Sequence, residues 1–190
     1  MKTTIKREEI LAPLQQVIGA VERRQTLPIL GNVLLKSTGG DLSLTATDLE
    51  IEMVAGVPAD TTDDFQTTIP ARKLLDICKA LPDGSEIAFN IDENRVSLTS
   101  ARSRFTLASL PARDFPGLDE IDEKESFSIS QNTFKGLFDK TSFAMAQQDV
   151  RYYLNGILME ISPGKIKLVA TDGHRLALSE SEIDTGVDED

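Results

Sequence analysis

The chain has 190 residues, of which 40% are hydrophobic and 27% charged, and its formal net charge is −11. This composition is typical of a globular protein with a buried core. The acidic balance argues against a simple nucleic-acid-binding protein, although basic residues gathered on one face would remain compatible with one. No segment has the apolar run of a signal peptide or a membrane span, so we expect a cytoplasmic protein with no membrane partner.

Cysteine and histidine are too scarce for a disulfide or a usual zinc site, since the chain has one of each. A single cysteine fits a reducing cytosol. Cys78 lies at helical spacing from Leu74 and Leu81, which predicts a small core residue rather than a reactive thiol. We therefore expect neither a metal nor a cofactor.

Hydrophobic periodicity predicts strands alternating with helices. In chain order, we predict a strand at 2–6, a helix at 7–21, strands at 32–37, 42–46, 51–57 and 65–69, a helix at 70–81, and strands at 86–91, 96–99 and 104–109. Pro13 is unusual inside a helix, so it either kinks the first helix or marks a later start. The sequence Gly39-Gly40-Asp41 predicts a hairpin turn.

The chain repeats itself at an offset of 124 residues, so that Leu30 to Met53 aligns without gaps on Leu154 to Ala177. An acidic segment at 114–124 predicts the linker between the copies. The second copy restarts with a predicted strand at 126–129 and a helix at about 131–146. One unit used twice predicts an α+β fold, in which each domain has two β-α-β-β-β units with helices on one face of antiparallel sheets.

The second copy ends at the position that corresponds to Gln66 of the first copy. Its missing strands predict a three-stranded sheet and an uncovered apolar helix face. Because open strand edges and bare apolar faces are poorly stabilised, we expect disorder or intermolecular pairing there.

Residues 171–175, Thr-Asp-Gly-His-Arg, invite a catalytic interpretation in which Asp172 orients His174. The first copy has Thr47-Asp48 at the same place, without the glycine and histidine. A turn whose aspartate caps backbone amides explains both copies more simply. An enzyme using Asp172 and His174 remains an alternative hypothesis, as does a free-standing peptide-binding module.

Five separated motifs resemble those of the bacterial DNA polymerase III β subunits, the replicative sliding clamps. They are TLPILGN (26–32), PARKLLDICKALP (70–82), SRFTLASLPARDFP (103–116), QDVRYYLNG (148–156) and VATDGHRLA (169–177). The resemblance implies a duplicated DNA-clamp fold without catalytic activity. It makes residues 1–120 the N-terminal clamp domain and 121–190 about half of the central domain, with the third domain absent.

The resemblance also implies the residues that bind DNA, namely Arg24, Arg72, Gln148, Tyr152 and Tyr153. A solvated charge at a helix end is the less favoured alternative for the two arginines. If residues 152–153 are extended, the tyrosines point to opposite faces, and the sequence alone favours a strand aromatic that covers the core.

Two protein-binding surfaces follow from the same resemblance. A pocket for short peptides is expected from Leu154, Thr171, Gly173, His174, Arg175 and Leu176. A dimer interface with the third domain of a partner is expected from Lys73, Arg102, Arg104, Phe105 and Leu107. For Phe105 and Leu107, an ordinary core position is an equally weighted alternative.

The implied function is that of a processivity clamp for the replicative polymerase. The implied partners are double-stranded DNA, the DNA polymerase III catalytic subunit, the clamp-loader complex, and other DNA polymerases and repair proteins that carry short peptide motifs. The full-length protein is expected to be a ring-shaped homodimer, of which this chain would be an N-terminal fragment.

Overall fold

The computed structural model describes residues 2–21, 27–59, 61, 63–92, 94–117 and 126–186. The chain divides into two compact units, Met1–Asp119 and Glu120–Asp190. The described residues form helices and antiparallel sheets, which confirms the predicted α+β fold.

The first unit contains two four-stranded antiparallel sheets and two helices. Its strands are β1 Lys2–Lys6, β2 Asn32–Thr38, β3 Asp41–Thr47, β4 Glu52–Val57, β5 Phe65–Pro70, β6 Glu86–Asp92, β7 Arg95–Ser100 and β8 Ser103–Ala108, and its helices are α1 Arg7–Val17 and α2 Ala71–Ala80. The strand orders are β1-β6-β7-β8 and β4-β3-β2-β5.

The second unit contains one helix and one three-stranded sheet. Its elements are α3 Gln131–Thr141, β9 Leu158–Ser162, β10 Lys165–Thr171 and β11 Leu176–Glu182, and the strand order is β11-β10-β9. The three-stranded sheet agrees with the prediction.

Helix α1 begins at Arg7, so Pro13 lies inside the helix and does not mark a later start. The side chains of Ile10, Leu14 and Val17 are buried in the core. The predicted end at residue 21 is wrong, because a short 3₁₀ helix, Ile18–Ala20, follows directly. A 3₁₀ turn is a common way for a helix to tighten at its end.

Helix α2 buries Leu74, Leu75 and Cys78. The removal of the Cys78 thiol from water raises its pKa to about 11, so the thiol is protonated and unreactive at neutral pH. The prediction of a small core residue is confirmed.

The first hairpin turn agrees with its prediction. Thr38 pairs with Asp41 across it, and Gly39 and Gly40 have φ values of +61° and +96°. Two successive positive φ values match the twist of the adjoining strands, and glycine adopts them without a Cβ clash.

The predicted strand at 126–129 is wrong, since these residues belong to no strand. In the first unit, the corresponding strand β1 pairs with β6 along its whole length. The 190 residues contain no counterpart of β6 in the second unit, because an offset of 124 would place it beyond residue 190. A strand without a hydrogen-bonding neighbour is not stable in water.

The apolar face of α3 is partly uncovered, as predicted. Ile10 and Leu14 are 0% exposed in α1, whereas Phe138, at the position equivalent to Leu14, is 36% exposed. Helix α2 packs on α1 in the first unit, and its counterpart would lie beyond residue 190. The expected disorder or intermolecular pairing of the second unit stays a prediction.

The connection from β3 to β4 is a four-residue turn organised by Asp48, which we call the first aspartate turn (residues 48–51). Asp48 Oδ1 accepts hydrogen bonds from the amides of Glu50 and Ile51, at 3.0 and 2.8 Å. Leu49 has a φ of +78°, in the left-handed region that strains a residue with a Cβ.

We therefore expect Leu49→Gly to stabilise the chain by about 1 kcal/mol, since it removes left-handed strain at a cost in unfolded-state entropy. Leu49→Ala, which keeps the strain, is the matched control. Urea unfolding measures both variants. A Leu49→Gly variant no more stable than Leu49→Ala would contradict the prediction.

Candidate functional site

The connection from β10 to β11 repeats the geometry of the first aspartate turn, and we call it the second aspartate turn (residues 172–175). Asp172 Oδ1 accepts hydrogen bonds from the amides of His174 and Arg175, at 2.9 and 3.0 Å. Thr171 Oγ1 accepts one from the Gly173 amide at 3.1 Å. The prediction that the shared Thr-Asp pair forms a turn is confirmed.

The carboxylate of Asp172 is engaged with the turn and not with the His174 imidazole. Its Oδ2 accepts a hydrogen bond from Arg175 Nε at 3.0 Å. The amide of His174, followed by that of Arg175, holds the pKa of Asp172 below its usual range. The geometry offers no support for an Asp–His catalytic pair.

Gly173 occupies the position that Leu49 has in the first copy, and its φ is +87°. A Cβ built on Gly173 would lie 3.2 Å from Arg151 Nη1. Glycine thus allows both the left-handed backbone and the close approach of a guanidinium.

Residues 147–155, which we call the tyrosine loop, form a closed hydrogen-bonded segment. The amide side chain of Asn155 binds the backbone of Asp149 in both directions, with Oδ1 accepting from its N–H and Nδ2 donating to its carbonyl, each at 2.9 Å. At the base of the loop, the Ala146 amide donates to the Leu154 carbonyl at 3.0 Å.

Arg151 connects the tyrosine loop with the second aspartate turn. Its Nε and Nη2 donate to the two carboxylate oxygens of Asp149 at 3.0 and 2.9 Å, and Nη2 also lies 3.4 Å from the Asp172 carbonyl oxygen. The Arg151 side chain lowers the pKa of Asp149 to about 2. Paired in this way, the two opposite charges largely cancel each other.

Both tyrosines of the loop are exposed, Tyr152 by 83% and Tyr153 by 68%. They lie in a 3₁₀ helix, Tyr152–Asn155, and their rings meet edge to face with centroids 6.0 Å apart. The interpretation favoured by sequence alone, a strand aromatic that covers the core, is wrong because the segment is not extended. Gln148 is exposed as well and has a strained φ of +57°.

An open cleft of about 520 Å³ lies between the tyrosine loop and the second aspartate turn, and its lining includes Phe143, Gln148, Asp149, Arg151, His174 and Arg175. The Arg175 guanidinium lies 5.8 Å from the centre of the Phe143 ring, within the range of a cation–π contact.

Of the six predicted peptide-pocket residues, four lie in residues 171–175, namely Thr171, Gly173, His174 and Arg175. Leu176 begins β11 and is 65% exposed, and Leu154 is half-buried in the 3₁₀ helix. Of the six residues, His174 and Arg175 line the open cleft, and the other four are not part of its lining.

The predicted DNA contacts of the first unit are partly described. Arg72 is exposed in the first turn of α2, as the sequence predicted. Arg24 lies outside the described residues. In the repeat, Arg24 corresponds to Gln148, so the resemblance assigns a DNA contact to the same position of both copies.

The predicted dimer surface follows β8, an edge strand of its sheet. Arg102 and Arg104 are exposed, and Phe105 is half-buried. Leu107 is only 8% exposed and belongs to the core of the first unit. This agrees with the alternative interpretation of Leu107 as an ordinary core residue. Lys73 is exposed in the first turn of α2.

The sequence interpretation missed Arg151, Asn155 and Phe143 as parts of this site. The available signal was local, because Asp149 and Asn155 are residues whose side chains commonly bind nearby backbone groups. The approach of Arg151 to the second aspartate turn has no local signal, since it joins residues 21 positions apart.

Within the described part of the chain, no helix is long and apolar enough to cross a membrane. The same residues contain no group of three or more histidine, cysteine, aspartate or glutamate side chains arranged to hold a metal ion.

The duplicated unit and its exposed polar cleft are typical of binding proteins that are built from repeated α+β domains. The protein-family model for the N-terminal domain of the DNA polymerase III beta subunit matches residues 1–119. The family model for the central domain of the same subunit matches residues 128–190. The chain therefore belongs to the DNA polymerase III beta subunit family.

Curated relatives agree with this assignment. A beta sliding clamp from Pseudomonas aeruginosa is 55% identical over 179 residues, which is 94% of this chain and 49% of the relative. The beta sliding clamp of Escherichia coli K12 is 53% identical over the same shares of the two chains. The chain thus spans about half the length of the curated relatives it matches.

Solved structures show the same fold. A crystal structure of the P. aeruginosa DNA polymerase III subunit beta has a TM-score of 0.93 at 50% identity, covering 100% of this chain and 52% of that chain. A P. aeruginosa sliding clamp bound to griselimycin has a TM-score of 0.92 at 53% identity, covering 97% of this chain and 50% of that chain.

Two glycine substitutions in the second unit should change its stability in opposite directions. Gly173→Ala should destabilise it by about 1 kcal/mol, because the backbone is left-handed and the new Cβ meets Arg151. Gly136→Ala should stabilise it by about 1 kcal/mol, because Gly136 lies inside α3 with open space around its Cβ position. Chemical denaturation checks both, and shifts of the same sign would contradict the prediction.

The Arg151–Asp149 pair predicts an acid transition of the tyrosine loop. Because the pKa of Asp149 is lowered in the folded chain, the pair stabilises fully above the usual value of 3.8 and is lost as the pH falls towards 2. The Asp149 carboxyl ¹³C resonance should titrate near pH 2, and at a higher pH in Arg151→Gln, which loses the guanidinium bonds but keeps the backbone amide bond to the carboxylate. Arg113→Gln, in the other unit, should leave it unchanged; a midpoint near 3.8 in the wild type would contradict the prediction.

Proposed function

We propose that the chain is the N-terminal half of a sliding clamp, a non-catalytic processivity factor that encircles duplex DNA for the replicative polymerase. One observation carries the proposal: both family domains match in order, on two copies of one structural unit. On this proposal, residues 1–120 form the first clamp domain and 121–190 part of the central one. The proposal places the protein in the cytoplasm, where the DNA that it would encircle lies.

The charge of the chain is compatible with this function, although it is −11 overall. A ring holds DNA by topology, so its phosphate contacts need only centre the duplex. Such contacts carry no sequence information and are screened by salt, which suits sliding. Arg72 lies in the first turn of α2, where the helix N-terminus adds to the attraction for phosphate.

The tyrosine loop is proposed as a light DNA contact through Gln148, Tyr152 and Tyr153. Both rings are exposed, and stacking of an aromatic ring on an unpaired base contributes about 1–3 kcal/mol. Asp149 offsets the charge of Arg151, so the loop has little net attraction for phosphate. Stacking is then the main source of affinity.

The six pocket residues named above are proposed to receive short peptides from the polymerase catalytic subunit, the clamp loader and other polymerases and repair proteins. Leu154 and Leu176 supply apolar contacts, and the second aspartate turn supplies exposed polar groups beside them. Related clamps from P. aeruginosa and Bartonella birtlesii have been solved bound to griselimycin, which supports a ligand site in this family.

The edge of β8 is proposed as the dimer surface of the full-length protein. An edge strand offers unpaired backbone groups to a strand of a partner. Arg102, Arg104 and Lys73 are exposed cations suited to an acidic partner surface, and Phe105 of the same edge strand is a half-buried apolar residue. The side chain of Leu107 supports this edge from within the core.

Retention of the full-length protein on DNA tests encirclement. On nicked circular DNA the loaded protein should stay bound, whereas on linear DNA it should slide off the ends, because topology and not affinity retains it. Gel filtration of the DNA–protein complexes after loading measures the difference. Arg72→Ala should load less well than the matched control Arg113→Ala, which removes an exposed arginine paired with Asp114. Equal retention on both DNAs would contradict the proposal.

A further inference from the structure

The two copies of the unit differ at a pair of positions that meet in the second copy. Arg151 stands where the first copy has Leu27, and Gly173 stands where it has Leu49. Leu27 and Leu49 are exposed apolar side chains, 48% and 50%. In the second copy the same positions bring a guanidinium against a backbone that has no Cβ to exclude it.

We propose that Arg151 is a positioning residue that fastens the tyrosine loop to the second aspartate turn, so that the DNA contacts and the peptide contacts of the second unit are held as one rigid group. The assignment of one group to DNA binding and of the other to peptide binding rests on the proposed function. The fastening itself rests on the geometry.

The tyrosine loop has little apolar burial to hold it in place. Val150 is 96% exposed, and both tyrosines are largely exposed. Gln148 is in a strained left-handed conformation, which persists only where surrounding interactions hold it. The position of the loop therefore depends on polar bonds, and Arg151 supplies one that reaches the second aspartate turn.

The bonding pattern requires the planar fork of an arginine. Two nitrogens bind the two oxygens of Asp149 side by side, while Nη2 also faces the Asp172 carbonyl. Lysine carries the same charge at a single point and cannot make the parallel pair of bonds. The carboxylate of Asp149 also accepts a hydrogen bond from the Arg151 backbone amide at 2.8 Å. This bond fixes the Arg151 backbone relative to the carboxylate that its guanidinium binds.

A rigid connection has a consequence for binding. Gln148, Tyr152 and Tyr153 belong to the tyrosine loop, and His174 and Arg175 belong to the second aspartate turn; Gln148, His174 and Arg175 line the shared cleft together with Arg151. A ligand that moves one group must then move the other. Such coupling is reciprocal, so each ligand changes the affinity for the other by the same factor.

The chain contains natural probes for both sides. It has two tyrosines, both in the loop, one histidine, which lies in the second aspartate turn, and no tryptophan. Tyrosine fluorescence anisotropy thus reports the loop alone, and the imidazole Hε1 resonance reports the turn alone. Backbone ¹⁵N relaxation adds order parameters for both segments in the same 190-residue chain.

In Arg151→Gln and Arg151→Lys we expect the order parameters of residues 148–153 to fall from about 0.85 to below about 0.6. Tyrosine anisotropy should fall, and the His174 Hε1 resonance should shift. Arg113→Gln, an exposed arginine of the first unit, is the control and should change neither probe. Thermal unfolding shows whether each variant is folded.

Unchanged loop order parameters and an unchanged Hε1 resonance in folded Arg151→Gln would overturn the inference. Wild-type behaviour of Arg151→Lys would also overturn it, because charge alone would then suffice. If Arg151→Gln fails to fold, Asp149→Asn removes the other half of the fork and should produce the same two changes. Non-additive effects in the double variant confirm that both act through one interaction.

Ligand binding to the full-length protein tests the functional consequence, with oligothymidylate as the loop probe and griselimycin as the pocket probe. In the wild type, saturating griselimycin should change the oligothymidylate affinity, read from the fluorescence anisotropy of end-labelled oligothymidylate, by at least about five-fold. In Arg151→Gln the factor should fall to near one. A factor that persists in the variant overturns the inference in favour of direct competition. If neither probe binds the wild type, the proposed function fails, while the relaxation data still decide the role of Arg151.

Discussion

An aspartate that binds two backbone amides of its own turn organises each copy of the repeated unit. Asp48 and Asp172 make the same pair of hydrogen bonds, across connections of the same length. The turn holds the two strands in register and leaves its remaining residues exposed. The second copy uses this freedom to carry His174 and Arg175 beside a cleft, whereas the first copy carries Glu50 and Ile51 at the same positions. The same backbone arrangement thus supports a different surface in each of the two copies.

Some equivalent positions of the two copies differ in burial. Leu35 is 0% exposed in β2, whereas Met159, its counterpart in β9, is 47% exposed. The difference lies in the neighbours, because β5 pairs with β2 and α2 packs over it in the first unit. Burial is therefore a property of the assembled layers rather than of the strand. A complete second unit would need covering elements equivalent to those of the first.

The proposed contact surfaces combine modest individual interactions. The exposed tyrosines, the helix-terminal Arg72 and the charge-compensated tyrosine loop all favour weak, sequence-independent contacts. On the proposed function, weak contacts are sufficient because a closed ring would retain the protein on DNA. The proposed peptide pocket would require more precise geometry, which the hydrogen-bonded second aspartate turn supplies.

Much of this architecture could be predicted from sequence, because it depends on local signals. Periodicity located the helices and most strands, paired glycines located the first hairpin, and the repeated Thr-Asp located both aspartate turns. Five motifs were enough to indicate the family. Three features could not be predicted, because each depends on residues distant in the chain. The segment 126–129 has strand character but no strand beside it, the tyrosines lie in a 3₁₀ helix instead of a strand, and Arg151 meets a turn 21 residues away. The side-chain pattern of a segment indicates its local conformational preference. Strand pairing and long-range side-chain contacts depend instead on which residues the fold brings next to that segment.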